Sequence, residues 1–374
     1  MKVRAAVLEE IGRQRPYAES QPLSIGEIDL EPPGQGEVLV EVKAAGLCHS
    51  DLSVIDGNRP RQTPMALGHE ASGIVRELGP GVDDLAVGDH VVMIFVPSCG
   101  HCLPCAEGRP ALCEPGAAAN NAGTLLSGEQ RWSRDGNPVY HHMGVSVFAE
   151  HTVCSRRSLI KIDPDLPLDE AALFGCAVLT GVGAVMNTAQ VRPGQSVAVV
   201  GLGGVGLNAL LAANAVGASH IVAIDLNDDK LALARQLGAT DTVNAGDADA
   251  VEQVRELTGG GVDYGLEMAG SVKAMDVAYR GTRRGGTTVT AGLSHPEHDF
   301  ALKHVGLVAE ERTIKGSYIG SCVPLRDVPR FIDLYKAGRL PVDRLLSDRI
   351  QLDDINGAFD RLADGATVRQ VVVF

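Results

Sequence analysis

The sequence predicts an α/β protein in which a doubly wound, mainly parallel sheet accompanies a mostly β domain of barrel or sandwich type. Three observations carry that expectation. Between about residues 178 and 320, apolar β-type runs alternate with helical stretches. A glycine-rich turn, GLGGVG, separates the first of those runs from its helix. The first ~150 residues show short alternating runs, recurrent turn residues and no long helical period.

Composition narrows the class. The 374 residues suffice for two or three domains of about 150 residues each. A 45% hydrophobic and 21% charged chain can build a substantial core. With 47 Asp+Glu against 33 Lys+Arg the net charge is −14, which opposes nucleic acid as a partner because phosphate backbones need clustered cations. The start, MKVRAAVLEE, has no apolar h-region, so a cytoplasmic location is expected. Residues 197–218 are uncharged and about as long as a membrane span. They hold glycines at 201, 203, 204, 206 and 217, each costing a helix about 1 kcal/mol relative to Ala. A strand, a tight turn and a buried helix fit them better, and no membrane contact is expected.

In chain order, Val38, Val40 and Val42 alternate with Leu39 and Glu41, and GDHVVMI follows Gly-Pro-Gly at 79–81; both read as strands. Residues 116–140 are rich in Gly, Asn and Ser without a clear period, and read as a long surface loop containing the single Trp132. Then come SVAVV with LNALLAANAV, HIVAI with DDKLALARQL, DTVN with DAVEQVREL, and the runs VDYGLEM, GTTVTAG and RTIKGSYI. Six strands with intervening helices give the parallel sheet, RTIKGSYIG being an edge candidate. The tail supplies a helix, VPRFIDLYKAG, closed by Gly338, and a last strand, QVVVF.

Gly201, Gly203 and Gly206 spell G-x-G-x-x-G, with Gly204 and Val205 inside the turn. The turn follows an apolar strand, opens a helix, and precedes a second strand ending in Asp225. Glycines let the backbone approach a pyrophosphate closely, and the helix N-terminus offers N–H groups to it. Asp225 suits an adenine ribose, and its charge would repel a 2′-phosphate, favouring NAD over NADP. Lys230 is a candidate for the adenosine end, although a solvated helix lysine accounts for it equally.

Eight cysteines occur, at 48, 99, 102, 105, 113, 154, 176 and 322. Cys99, Cys102, Cys105 and Cys113 follow C-x2-C-x2-C-x7-C, a spacing that lets four thiolates close a tetrahedral shell around zinc. Such a site has no open position, so its role is structural. Cys154 and Cys322 lie in β-like contexts and read as core residues, and His101 as a surface residue. A second set is dispersed: Cys48, His49, Ser50 and Asp51 in GLCHSD, His69 and Glu70 in GHE, and Cys176 in GCAVLTG. Taken singly, Cys176 is a core cysteine and His69 a hydrogen-bonded structural histidine.

Taken together, GLCHSD, GHE, the four-cysteine lobe, GCAVLTG and GLGGVG stand in the order found in zinc-dependent medium-chain alcohol dehydrogenases, and the chain resembles their long-loop subgroup, with its liver-type and glutathione-dependent formaldehyde enzymes. The resemblance implies a GroES-like β-barrel catalytic domain (1–177 and 323–374, with a zinc lobe at about 97–115) and a Rossmann domain (178–322). It implies NAD and two zinc ions per chain, one catalytic on Cys48, His69 and Cys176 and one structural. Asp51 resembles the carboxylate that orients the histidine ligand, and Glu70 the carboxylate beside the zinc. Ser50 resembles the hydroxyl that takes the alcohol proton. Thr180 and Arg369 match further cofactor-binding positions, Arg369 as a pyrophosphate contact.

Some positions depart from the liver-type pattern. Ser53 stands where a relay histidine is usual, and His49 where an arginine often meets the pyrophosphate. Phe95, His142, Met143 and Leu293 match the alcohol channel, His142 replacing an aromatic residue. Ala117 replaces the arginine that holds the glycine carboxylate of glutathione in formaldehyde dehydrogenases. The expected reaction is reversible hydride transfer between a primary or secondary alcohol and NAD, giving an aldehyde or ketone. Alternatives are an S-hydroxymethylglutathione or polyol dehydrogenase, a cofactor-binding relative without turnover, and a zinc-ribbon nucleic-acid binder, which the charge opposes. The implied partners are a small-molecule alcohol or aldehyde and a second copy of the chain in a homodimer.

Overall fold

The computed structural model describes residues 1–374 and divides into two compact units, Met1–Cys176 with Val323–Pro329 and Asp343–Phe374, and Ala177–Cys322 with Arg330–Val342. In the first unit, Lys2–Leu8, Leu23–Leu30, Trp132–Arg134, Asn137–His141 and Met65–Ala66 form a closed barrel. Closure leaves no open edge, and the inward-facing alternate residues fill the interior. Val3, Val7, Ile28, Leu30, Trp132 and Val139 make that core. A second sheet runs Leu159–Lys161, His90–Met93, Ala71–Leu78, Glu37–Gly46, Arg369–Val373, Leu346–Ile350, with His151–Ser155 on Glu37–Gly46. The C-terminal strand pairs antiparallel with Glu37–Gly46, Val371 opposite Gly46, so the last strand completes a sheet begun more than three hundred residues earlier.

Residues 116–140 are not a long loop. They carry part of the helix Glu114–Ala122 and two barrel strands, and Trp132 is buried among the barrel side chains. The two strands pair with each other, Trp132 opposite Val139, while their outer partners lie far away in sequence: Leu30 opposes Trp132 and Met65 opposes Tyr140.

The second unit has one six-stranded parallel sheet, ordered Asp241–Asn244, His220–Asp225, Ser196–Val200, Val262–Glu267, Thr282–Thr290, Thr313–Gly316. This is the doubly wound order 3-2-1-4-5-6, whose strand order reverses between Ser196–Val200 and Val262–Glu267. Residues 330–342 cluster here too, Arg339 Nη2 donating to Ala215 O at 2.8 Å. No single helix of the chain is long and apolar enough to cross a membrane; residues 197–218 are instead a strand, a turn and the buried helix Gly204–Ala215.

Candidate functional site

Three segments of the first unit converge. Cys48 caps the helix His49–Ile55, its carbonyl accepting from Asp51 N at 3.1 Å and its own N–H donating to Asp51 Oδ2 at 3.3 Å. His69 follows the strand Met65–Ala66 across Gly68, whose φ of +92° and close approach to Phe148 N exclude a side chain. Cys176 ends the turn Ala172–Gly175. The Sγ atoms of Cys48 and Cys176 and a ring nitrogen of His69 lie within 4.8 Å of one another.

Asp51 decides how His69 is used. Its Oδ1 lies 2.8 Å from His69 Nδ1, and both side chains are fully buried. A carboxylate only accepts, so Nδ1 carries the proton and Nε2 presents its lone pair. That Nε2 is buried with no hydrogen-bond partner. Two thiols and one oriented imidazole, left with an orphaned nitrogen, are the donor set of an open zinc site, and the residues fit the ion. Electrostatics agree. Hydrogen bonding from Cys176, with His69 beside it, holds the Cys48 thiol well below its ordinary value despite burial. Burial alone would lower His69, but the Asp51 charge and Cys48 outweigh it and raise it to about 10. Burial likewise opposes ionisation of Asp51, yet His69 and His142 keep it below the usual carboxylate range. The pocket is built to hold positive charge against thiolate and carboxylate.

The four-cysteine lobe is a second such set. None of the eight cysteines is in a disulfide. Cys99, Cys102, Cys105 and Cys113 have Sγ atoms within 4.8 Å of one another. Backbone N–H groups point at the sulfurs: Cys99 N to Cys113 Sγ at 3.1 Å, Cys102 N to Cys99 Sγ at 3.3 Å, and Gly116 N to Cys113 Sγ at 3.3 Å. Burial pushes Cys99 up, but N–H donors from His101 and Cys102 bring it to about 6. Burial, with Cys102 and Cys113 adjacent, pushes Cys105 up to about 12. Four adjacent thiols cannot all ionise unless a cation compensates them, which zinc does.

Other expected positions surround these centres. Glu70 and Arg369 are buried and form an ion pair against Gly46, where a Cβ would strike both. Arg369 is therefore no surface charge; it faces the Cys48 side of the site. Phe95 and His142 each stand edge-on to His69, with ring centroids 5.1 and 5.7 Å away. His142 Nδ1 makes an oblique 3.3 Å contact with Asp51 Oδ1. Met143 follows in a left-handed conformation, φ +50°. Ser50 is half-buried on the first turn after Cys48, His49 is exposed, and Ser53 Oγ donates to His49 O at 2.8 Å. Leu293 belongs to the second unit and is 55% exposed.

In the second unit, Gly201 adopts φ +93°, and a Cβ on Gly206 would lie 1.8 Å from Gly201 O. Asp225 ends its strand and accepts from Leu202 N at 2.6 Å and Asn227 N at 3.0 Å, fastening the turn to the neighbouring strand end. Thr180 is buried and Lys230 half-buried. Sequence reasoning missed Glu267, which is buried at the end of its strand. Its Oε1 accepts from Ala269 N (2.8 Å) and Gly270 N (2.6 Å), and its Oε2 from Thr290 Oγ1 (2.7 Å), so it fastens the turns beside the switch point. A glutamate closing an apolar strand was the available signal.

Comparison with known proteins decides the family. The Alcohol dehydrogenase GroES-like domain profile matches residues 34–164 and the Zinc-binding dehydrogenase profile residues 204–337. The chain is 40% identical to an S-(hydroxymethyl)glutathione dehydrogenase of Synechocystis sp. over 376 residues, covering all of both chains. The chain belongs to the zinc-dependent alcohol dehydrogenases. An S-(hydroxymethyl)glutathione dehydrogenase of Paracoccus denitrificans is 37% identical over the whole of both chains. A solved alcohol dehydrogenase zinc-binding domain protein from Burkholderia ambifaria superposes with a TM-score of 0.94 at 36% identity, over 100% of this chain and 99% of that one. Benzyl alcohol dehydrogenase from Acinetobacter calcoaceticus superposes with a TM-score of 0.93 at 33% identity and the same coverage. As a zinc-dependent alcohol dehydrogenase the chain is an oxidoreductase of small-molecule alcohols that uses zinc and a nicotinamide dinucleotide.

Proposed function

We propose that the chain interconverts a primary or secondary alcohol and its aldehyde or ketone with NAD, and that Cys48, His69 and Cys176 hold the catalytic zinc. The orphaned, buried His69 Nε2 beside two thiols carries this reading. With both groups bound, zinc supplies a Lewis acid for the alcohol oxygen and the dinucleotide a hydride acceptor. Two thiolates balance the divalent charge, and Asp51 holds the imidazole in the tautomer that can ligate. Ser50, half-buried beside Cys48, receives the hydroxyl proton, and Ser53, lacking an imidazole, passes none by titration. His49 and Arg369 face the phosphates, Arg369 by leaving Glu70; Glu70, freed, assists exchange at the metal. Phe95, His142, Met143 and Leu293 line the alcohol channel. Gly201, Gly203, Gly204, Val205 and Gly206 present the pyrophosphate cradle, Thr180 and Lys230 add contacts, and Asp225 selects NAD by accepting from the ribose. Cys99, Cys102, Cys105 and Cys113 hold the structural zinc.

The names of the 37–40% identical relatives favour a second reading, S-(hydroxymethyl)glutathione as substrate. Ala117, where those enzymes are expected to carry an arginine, opposes it. We further read the chain as a cytoplasmic homodimer. Both thiol sets stay competent for metal only where thiols remain reduced, and Thr313–Gly316 leaves an open sheet edge for a second copy.

One set of measurements tests the proposal. Purified protein should carry zinc at both sites, run as a dimer by light scattering, and form NADH from benzyl alcohol faster than from S-(hydroxymethyl)glutathione. Cys176→Ser should lose the catalytic zinc and turnover while keeping the structural ion. Full turnover in that variant would overturn the ligand assignment.

A further inference from the structure

Arg61 lies in the loop 56–64, between the helix that begins after Cys48 and the strand that leads to His69. The side chain is half-buried, and its Nη1 donates to Asn121 Oδ1 at 2.7 Å. It forms no ion pair, whereas Arg4, Arg15, Arg76, Arg131, Arg134 and Arg156 of the same unit each hold a carboxylate. In a chain of net charge −14 this cation is left uncompensated beside the site.

Its anchor ties it to the wall around His69. Asn120, adjacent to Asn121, donates from Nδ2 to Phe95 O at 2.9 Å, and the Phe95 ring stands edge-on to His69. Gly144, after the His142–Met143 turn, abuts Asn120: a Cβ there would lie 3.4 Å from Asn120 Oδ1. Two polar atoms of this wall, His142 Nε2 and Asn120 Oδ1, are buried without hydrogen-bond partners. Such atoms are costly unless something polar completes them. A free guanidinium beside them suits a substrate with an anionic oxygen group.

We propose that Arg61 recognises a carboxylate on the substrate, so that the preferred alcohols are compact ones with an anionic group on the same small skeleton as the reacting carbon, which the bulky peptide S-(hydroxymethyl)glutathione is not. This deepens the function proposed above and rests on its placing of the alcohol channel at Phe95 and His142. With Nη1 held by Asn121, Nε and Nη2 remain to grip a carboxylate side-on through two charge-assisted hydrogen bonds. Zinc-loaded protein assayed with NAD on 4-(hydroxymethyl)benzoate and benzyl alcohol tests it. The wild type should favour the carboxylate in kcat/KM, and the preference should weaken with added salt. Arg61→Gln should cut the carboxylate-to-neutral ratio by about 10- to 100-fold, mainly through KM. Arg61→Glu should turn the preference towards 4-(aminomethyl)benzyl alcohol, a gain that damage to the fold would not produce. Equal use of the two alcohols by the wild type, or a ratio unmoved by either substitution, would overturn the proposal. A wild type that oxidises neither alcohol would instead defeat the alcohol-oxidation reading on which it rests.

Discussion

Asp51 is the most heavily committed residue of the site. Fully buried, it accepts from Cys48 N, holds His69 Nδ1 and touches His142 Nδ1. A buried carboxylate survives only with such partners, and here they also fix which histidine nitrogen is available. Asp51→Asn keeps the shape and removes the charge, so the Nδ1 proton of His69 is left with at most a neutral acceptor, and the new NH2 faces either it or Cys48 N–H. We expect zinc affinity at this site to fall by about 10- to 100-fold, read by competition with a chromophoric chelator. An unchanged affinity would leave Asp51 a packing residue only. The buried Glu70–Arg369 pair shows the same economy: each offsets the other's charge beside Cys48, since either one unpaired would be strongly destabilising.

Among the elements, the turn after Ser196–Val200 is the most constrained. Gly201 holds φ +93°, and Gly206 packs its Cα where a methyl would meet Gly201 O at 1.8 Å. The helix Gly204–Ala215 can therefore start against the strand end with its N–H groups free for a phosphate. Gly206→Ala must push helix and turn apart, at a cost of about 1–3 kcal/mol. We expect a lower melting temperature and a raised KM for NAD with zinc content unchanged. Unaltered NAD binding would count against the cradle. The barrel strands Trp132–Arg134 and Asn137–His141 teach the complementary lesson, since beyond pairing with each other they are held by Leu23–Leu30 and Met65–Ala66, distant in sequence, rather than by their own propensity.

Across the whole molecule, one barrel residue should add a distinct share to the loss of stability in acid. His141 is fully buried, its Nε2 accepting from Arg131 N at 3.1 Å and its Nδ1 without a partner. Burial first, then the Arg131 charge, lower it to about 3 from an ordinary 6.5. Between those values the unfolded chain binds a proton that the folded chain refuses, so this contribution is complete above pH 6.5 and is lost as pH falls towards 3. The slope is ~1.4 kcal/mol per pH unit for a single proton. His141→Gln keeps an acceptor and removes the titration. Its unfolding free energy, measured by denaturant between pH 6.5 and 4.5, should fall less steeply than that of the wild type. Parallel slopes would exclude His141 as the sensitive group.

How much could be read without coordinates depended on the distance along the chain between cooperating residues. The six parallel strands, the GLGGVG turn and the cysteine lobe each draw on a few consecutive residues, where apolar period, glycine and ligand spacing carry the physics directly. Cys48, His69 and Cys176 carry no such signal alone, and only the order of several motifs marked them. Folding supplied what spacing cannot: the shared carboxylate of Asp51, the Glu70–Arg369 pair made when the last strand joins Glu37–Gly46, the Glu267 clamp, and the burial of Trp132. The local sequence determined its turns and helices because short-range sterics and periodicity act within a few residues. The charged and aromatic partners were decided by the tertiary structure, because burial and hydrogen bonding join segments that the chain keeps tens to hundreds of residues apart.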